Sequence, residues 1–174
     1  MKQLYKKTYP VIENKFWAGR TPVSTNKQET YNNLSTLIEA GIDVIINLTE
    51  ENEFPDYQNE LSFFAKGVGE KIQVYRKAIP DYSVPDKQLM REILQIIDLS
   101  INSGKKVFVH CYGGVGRTGT VVACYLLQKK LANKDNVFDK IQELREGLPY
   151  AKSPETEEQK AFVLNYQSMY LSEK

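Results

Sequence analysis

His110-Cys111-Tyr112-Gly113-Gly114-Val115-Gly116-Arg117-Thr118-Gly119 holds the only histidine of the chain, directly beside one of its two cysteines. An apolar run, Val107-Phe108-Val109, leads in, and a long apolar segment from Thr120 to Leu131 leads out. That order of patterns predicts a strand, a tight glycine-rich loop and a helix N-terminus. It gathers the Cys111 thiol and the Arg117 guanidinium, with five residues between them, around one small cavity. Successive N–H groups in such a loop form a concave nest, and the helix start adds partial positive charge. Arg117 offers a fork that fits two oxygens of a tetrahedral dianion. A cysteine on the floor of an electropositive cradle is set up to react as a thiolate. Glycines let the backbone approach the anion closely, and Thr118 is placed to donate its hydroxyl to the sulfur.

Working outward, a short strand is expected around Phe16 to Ala18. Thr25 or Asn26 then caps a helix to about Ala40, closed by Gly41. The β-branched run Ile42 to Leu48 reads as a strand covered on both faces. A short helix near Asn59 to Lys66 and a strand from Ile72 to Ile79 follow. Pro80 and Pro85 bracket a loop, and Asp86 caps a helix to about Ile101. Leu89, Ile93, Ile96, Ile97 and Ile101 give that helix an apolar stripe. Lys105 to His110 is the strand before the loop. Three helices complete the chain, near Arg117 to Leu131, Asp135 to Arg145 and Pro154 to Leu171, the last opened by Ser153-Pro154.

The expectation is therefore an α/β fold with a short, mostly parallel central sheet, helices on both faces and a helical C-terminal third. Ligands of such sheets bind beyond the carboxyl ends of the strands, so the loops after Leu48, Ile79 and His110 should meet there. With no repeat or linker, the 174 residues read as one catalytic domain, 1–174.

Composition narrows the classes. Apolar content of 41% and charged content of 26% are those of a globular protein. Lys and Arg total 23 against 22 Asp and Glu, which argues against a nucleic-acid partner. No apolar stretch approaches the roughly 20 residues of a membrane span, and Met1 to Lys7 has no signal-peptide core. A cytoplasmic protein with reduced thiols is expected. The pattern sets no oligomeric state, and a monomer is the default.

Two other readings of the loop fail. Gly114-Val115-Gly116-Arg117-Thr118-Gly119 spells the dinucleotide fingerprint, but that unit needs a further strand ending in an acidic residue about 20 positions on. Here Asp135 to Glu146 has a helical pattern. A phosphate-binding Walker loop needs a lysine where Arg117 stands.

The string H-C-x-x-G-x-x-R-T resembles the signature of the cysteine-dependent protein tyrosine phosphatase superfamily, and the short chain resembles its dual-specificity branch, in particular small microbial members. The resemblance extends to Ile79-Pro80-Asp81-Tyr82-Ser83-Val84-Pro85-Asp86, similar to the family's general-acid loop. It also covers Phe16 to Pro22, Asn47 to Glu50 and Ser153 to Gln159, so that it runs roughly from Phe16 to Tyr166. It implies attack by the Cys111 thiolate, with Arg117 and the phosphate loop Tyr112, Gly113, Gly114, Val115 and Gly116 holding the phosphoryl oxygens. Asp81 would be the acid and then the base, Gln159 would help place water, and His110 would orient the loop. No cofactor and no metal is expected, since arginine and backbone dipoles supply the charge, and a lone histidine does not suggest a zinc site.

Each residue has a plainer reading. Asp86 competes with Asp81 but is explained as a helix cap. Gln159 could be a surface residue among charges, and Glu50 and Glu51 a solvated loop instead of the pocket mouth. Cys124 lies about 10 Å along the helix from Arg117, beyond disulfide reach of the loop, and reads as core. Most of the 11 tyrosines read as amphipathic packing.

The loop positions between Cys111 and Arg117 carry no charge. Phosphoinositide-directed members place lysines there, so the resemblance favours a phosphorylated protein or peptide: phosphotyrosine, with phosphoserine and phosphothreonine also open. The competing classes are a phosphoinositide, inositol polyphosphate or RNA 5′-phosphatase, and a phospho-binding module that lacks catalysis. Rhodanese-like sulfur transfer is weaker, since its loop is one residue shorter.

Overall fold

A computed structural model describes residues 3–149 and 152–171. Five strands form one sheet: β1 (Thr8–Ile12), β2 (Phe16–Arg20), β3 (Ile42–Asn47), β4 (Gln73–Arg76) and β5 (Lys106–Cys111), in the order β1-β2-β5-β3-β4. β5 runs parallel to both β2 and β3, and β3 parallel to β4; β1 alone is antiparallel, paired with β2. The helices are α1 (Lys27–Glu39), α2 (Gln58–Gly67), α3 (Lys87–Asn102), α4 (Gly116–Gln128), α5 (Val137–Leu144) and α6 (Glu157–Leu171).

The central strands are apolar on both sides because both sides are covered. Val44, Ile46, Val107 and Val109 face Ile93, Ile97, Val121 and Val122 of α3 and α4. Their alternates Ile45 and Phe108 face Leu34, Leu37 and Leu61 of α1 and α2. Each such side chain, fully withdrawn from water, contributes about 1.5–3 kcal/mol. Among the described residues no helix is long and apolar enough to cross a membrane.

The expected architecture is present, with local differences. β1 was not legible: it is a five-residue edge strand containing Pro10, tolerated there because an edge N–H need not pair. The buried side of α3 is Met90, Ile93, Leu94 and Ile97, while Leu89, Ile96 and Ile101 pack at its margin. α6 begins at Glu157 instead of Pro154. Its start is a capping box: Thr156 Oγ1 accepts from Gln159 N, and Gln159 Oε1 accepts from Thr156 N, both at 3.1 Å. Asn26 caps α1 and Asp86 caps α3.

Candidate active site

The carboxyl ends of β3, β4 and β5 deliver three loops to one edge. There Cys111, Gly116 and Arg117 line a cavity of about 240 Å³ together with Asp81, Tyr82 and Lys7. The loop at its floor is held from outside by its carbonyls. His110 Nδ1 lies 3.3 Å from Cys111 O, Thr21 N donates to Tyr112 O at 3.2 Å, Arg145 Nη1 to Gly114 O at 2.6 Å, and Ser153 Oγ to Val115 O at 2.7 Å. In a trans peptide the next N–H points opposite its carbonyl. Pulling those four carbonyls outward therefore turns the amides of Tyr112, Gly113, Val115 and Gly116 inward, as an anion nest requires. Gly114 has φ +71°, and a Cβ there would stand 2.5 Å from Arg20 N, so only glycine fits.

Arg117 is the largest fully buried side chain. Glu53 takes it bidentately, Nη1 to Oε2 at 2.7 Å and Nη2 to Oε1 at 2.5 Å, while Nη1 also donates to Ile79 O at 3.1 Å. Asp81 reaches Nη2 at 2.9 Å from a half-exposed position. Among the described residues the buried Arg117 Nε–H has no partner. Burial opposes the charge on Glu53, but the bonds from Arg117 and the Glu50 amide outweigh it and hold its carboxyl below the ordinary range. Burial also opposes the charge on Arg117, and the bonds to Glu53 together with the negative charge of Cys111, Glu53 and Asp81 more than restore it.

His110 is fully buried, its ring stacked on Phe108, and its Nε2 lies 2.6 Å from Tyr57 Oη. Burial lowers its pKa to about 3, so the ring is neutral near pH 7. Burial also keeps Tyr57 protonated. The tautomer that satisfies both contacts has Tyr57 donating to Nε2 and Nδ1–H donating to Cys111 O. His110 is thus a fixed strut under the loop.

Asp86, Glu50, Glu51 and Cys124 take their plainer readings, whereas Gln159 departs from its surface reading. Thr118 Oγ1 lies 3.4 Å from Gly19 O, where α4 meets β2. Gln159 is fully buried, not a surface residue. Its Oε1 accepts from Glu155 N and Thr156 N, and its Nε2 donates to Ser83 O at 3.1 Å. It therefore joins the start of α6 to the loop that carries Asp81. Asp86 is spent on capping Leu89 N at 2.7 Å and stands apart from the cavity lining. Glu50 and Glu51 are exposed, and the carboxylate of that loop that turns inward is Glu53. Cys124 is a free, buried core thiol, pushed up by burial.

Glu53, Tyr57, Arg145, Ser153, Glu155 and Lys7 were missed. Ser153 and Glu155 lie in the stretch Ser153 to Gln159 that resembles the family, but nothing there gives them a site role, and no local pattern marks the other four; each reaches the loop or cavity across the fold. Among the described residues no three His, Cys, Asp or Glu side chains stand together as a metal-ligand set.

A family model described as polymorphic toxin system, DSP-PTPase phosphatase, matches residues 18–130, which include the whole loop and the acid segment. The chain belongs to this family. An uncharacterized protein of Methanocaldococcus jannaschii, MJECL20, is 37% identical over 97 residues, 55% of this chain and 60% of that protein. Human dual specificity protein phosphatase 2 is 35% identical over 75 residues, 40% of this chain and 23% of the relative. The chain thus spans less than two thirds of the length of these curated relatives. Among solved structures, Tk-PTP in its active form superposes with a TM-score of 0.75 at 24% identity, covering 94% of this chain and 98% of the other. The same fold is seen in PTPMT1 in complex with PI(5)P (TM-score 0.72, 18% identity, 95% of this chain and 97% of the other). It is also seen in the PP-IP phosphatase SIW14 from S. cerevisiae (0.68, 18%, 97% and 91%). At these identities the structural likeness speaks for the fold alone.

Proposed function

We propose that this chain is a single phosphatase domain that hydrolyses phosphate monoesters on proteins through a phosphocysteine. The observation that carries the reading is the state of Arg117: it lines the same cavity as Cys111, its outer edge is clamped by Glu53, and its buried Nε–H has no partner among the described residues. A guanidinium so held, with inward loop amides, suits three equatorial phosphoryl oxygens. The incoming oxygens displace Asp81 from Nη2, which frees it to act.

In the first step Cys111 Sγ forms a bond to phosphorus as the bond to the leaving oxygen breaks, and Asp81 gives that oxygen its proton. In the second, water attacks phosphorus, Asp81 takes the water's proton, and the P–S bond breaks to release phosphate and thiolate. Arg117 and the loop amides balance the charge of both transition states, so the reaction needs no metal in this scheme. Gln159, whose oxygen is already taken by two amides, contributes by holding the acid loop.

Phosphotyrosine, with phosphoserine and phosphothreonine behind it, is the substrate we favour, because Tyr112, Gly113, Val115 and Gly116 add no cation to hold a second phosphate. The phosphoinositide and inositol polyphosphate reading rests on the two neighbours that act on or bind such ligands. The two free thiols fit a cytoplasmic site of action.

The test is hydrolysis of a small aryl phosphate. Cys111→Ser should show no turnover, and Asp81→Ala a fall of about 10²–10⁴ in rate, the scale of a lost general acid. Retained turnover in Cys111→Ser refutes the mechanism. A clear preference for a polyphosphorylated inositol over phosphotyrosine peptides refutes the substrate class.

A further inference from the structure

The phosphate cavity does not end at its rim. It shares Lys7, Tyr112 and Gly113 with a second cavity of about 350 Å³, which shares Val23, Ser24, Thr25 and Pro55 with a third of about 310 Å³. The three form one groove that passes between the segment joining β2 to α1 and the segment joining β3 to α2. Phe54 and Tyr112, stacked at 4.8 Å between ring centroids, form an aromatic wall where the groove leaves the phosphate loop.

Charge is graded along the groove. The second cavity holds Lys7 and Arg20 and no carboxylate among its lining residues. Arg20 is bonded to Glu29 through Nη2 at 2.9 Å, yet its buried Nε–H has no partner among the described residues. The third cavity has Asp56 and Glu60 against Lys27, with Tyr31, Val23 and Pro55 as apolar surface. At the opposite end Asp81 and Glu155 line the phosphate cavity. A compact polyanion would meet carboxylates at both ends. An extended chain with one negative charge beside its phosphorylated residue would meet cations there and apolar surface beyond.

We propose that this groove is the track for the polypeptide flanking the phosphorylated residue, and that Lys7 and Arg20 select an acidic side chain next to that residue. This deepens the protein phosphatase reading and rests on it. The groove's volume beyond the phosphate cavity is surplus for a phosphorylated side chain alone but suits the neighbouring residues of a peptide.

The experiment measures kcat/KM for phosphotyrosine peptides identical except for Glu, Ala or Lys at the positions immediately before and after the phosphotyrosine, each divided by kcat/KM for a small aryl phosphate. At low salt the wild type should favour Glu over Lys at one of these positions by about 10-fold, and salt should shrink that ratio. Thr25→Glu, an exposed change inside the groove, and Lys7→Gln should each reduce the ratio to about 3-fold or less. Equal rates for all flanking residues, with aryl phosphate still hydrolysed, overturn the groove and leave the phosphatase reading standing. Absence of aryl phosphate hydrolysis overturns that reading itself. An inositol polyphosphate that outcompetes every peptide, undisturbed by Thr25→Glu, also overturns the proposal.

Discussion

Replacing Glu53 by glutamine keeps the shape of the side chain but removes the carboxylate that clamps Arg117. The wild-type pair makes two short bonds, 2.5 and 2.7 Å, to a guanidinium that is 1% exposed, and Glu53 itself is 18% exposed. Glutamine can accept from only one of the two nitrogens, and its own NH₂ would oppose the other. Breaking a fully buried pair costs about 3–5 kcal/mol. Because Asp81 still faces Nη2 and Glu53 is not wholly buried, about 2 kcal/mol is the expected loss here. For a chain of this size that is a fall of about 4–8 °C in Tm. The kinetic effect separates positioning from charge. A misdirected Arg117 fork should lower kcat by about 10²-fold, while KM should not rise, since a negative charge near the anion has been removed. Tungstate, a tetrahedral dianion, should raise Tm more in the variant than in the wild type, because it supplies a missing partner. Steady-state kinetics on an aryl phosphate and thermal unfolding with and without tungstate are the assays. A variant with kcat within about 2-fold of wild type and unchanged Tm would refute the clamp; a lower KM at unchanged kcat would reduce Glu53 to a charge.

Three further outcomes are expected. His110, the single histidine, should show no NMR titration above about pH 4.5, because burial lowers its pKa to about 3 from an unfolded value near 6.5. Between those values the unfolded chain binds a proton that the native state does not. Stability should therefore fall as pH drops through that window, by up to about 1.4 kcal/mol per unit; an imidazole titrating near pH 6.5 would contradict the strut. Gln159→Leu should cost about 1–2 kcal/mol through the lost capping box. If it also releases Ser83 and the acid loop, the fall in kcat will be larger for esters with poor leaving groups; equal losses for all esters would remove it from acid positioning. Gly114→Ala, at φ +71° and against Arg20 N, should cost about 3 kcal/mol and most activity, whereas Gly113→Ala meets only Val115 Cγ2 at 3.8 Å and should be tolerated.

Much of the fold was legible because its signals are local. Ile42 to Leu48 is β-branched or apolar except at Asp43 and Asn47, and Val107 to Val109 at every position, as a strand covered on both faces requires. Asn26 and Asp86 sit where caps are needed, and Gly41 closes α1 at φ +72°. β1 escaped because an edge strand of five residues with a proline carries little pattern. The α3 stripe was set slightly off because Met90 and Leu94 are as apolar as Leu89 and Ile96, and packing against the sheet chose between them. The start of α6 was misplaced because Ser153 serves Val115 O instead of the helix, and Thr156 with Gln159 does the capping.

The candidate site divides along the same line. Cys111, Arg117, the glycines and His110 are neighbours in the chain, so their spacing alone implied a cradle for a tetrahedral dianion. Asp81 was recognisable from the loop it sits in, and the structure brings it to Arg117. Which carboxylate clamps the guanidinium, which hydroxyl and guanidinium hold the loop carbonyls, and what Gln159 does with its amide were not readable. Those contacts join residues 31 to 76 positions apart, and no one-dimensional pattern encodes a contact that exists only after the sheet and its helices have packed. The chain by itself therefore determined the α/β architecture and the reactive pair, through local periodicity and spacing. Only tertiary structure decided how Arg117 is held, which way the loop amides face and where the groove beyond them runs, because each depends on the meeting of segments distant in sequence.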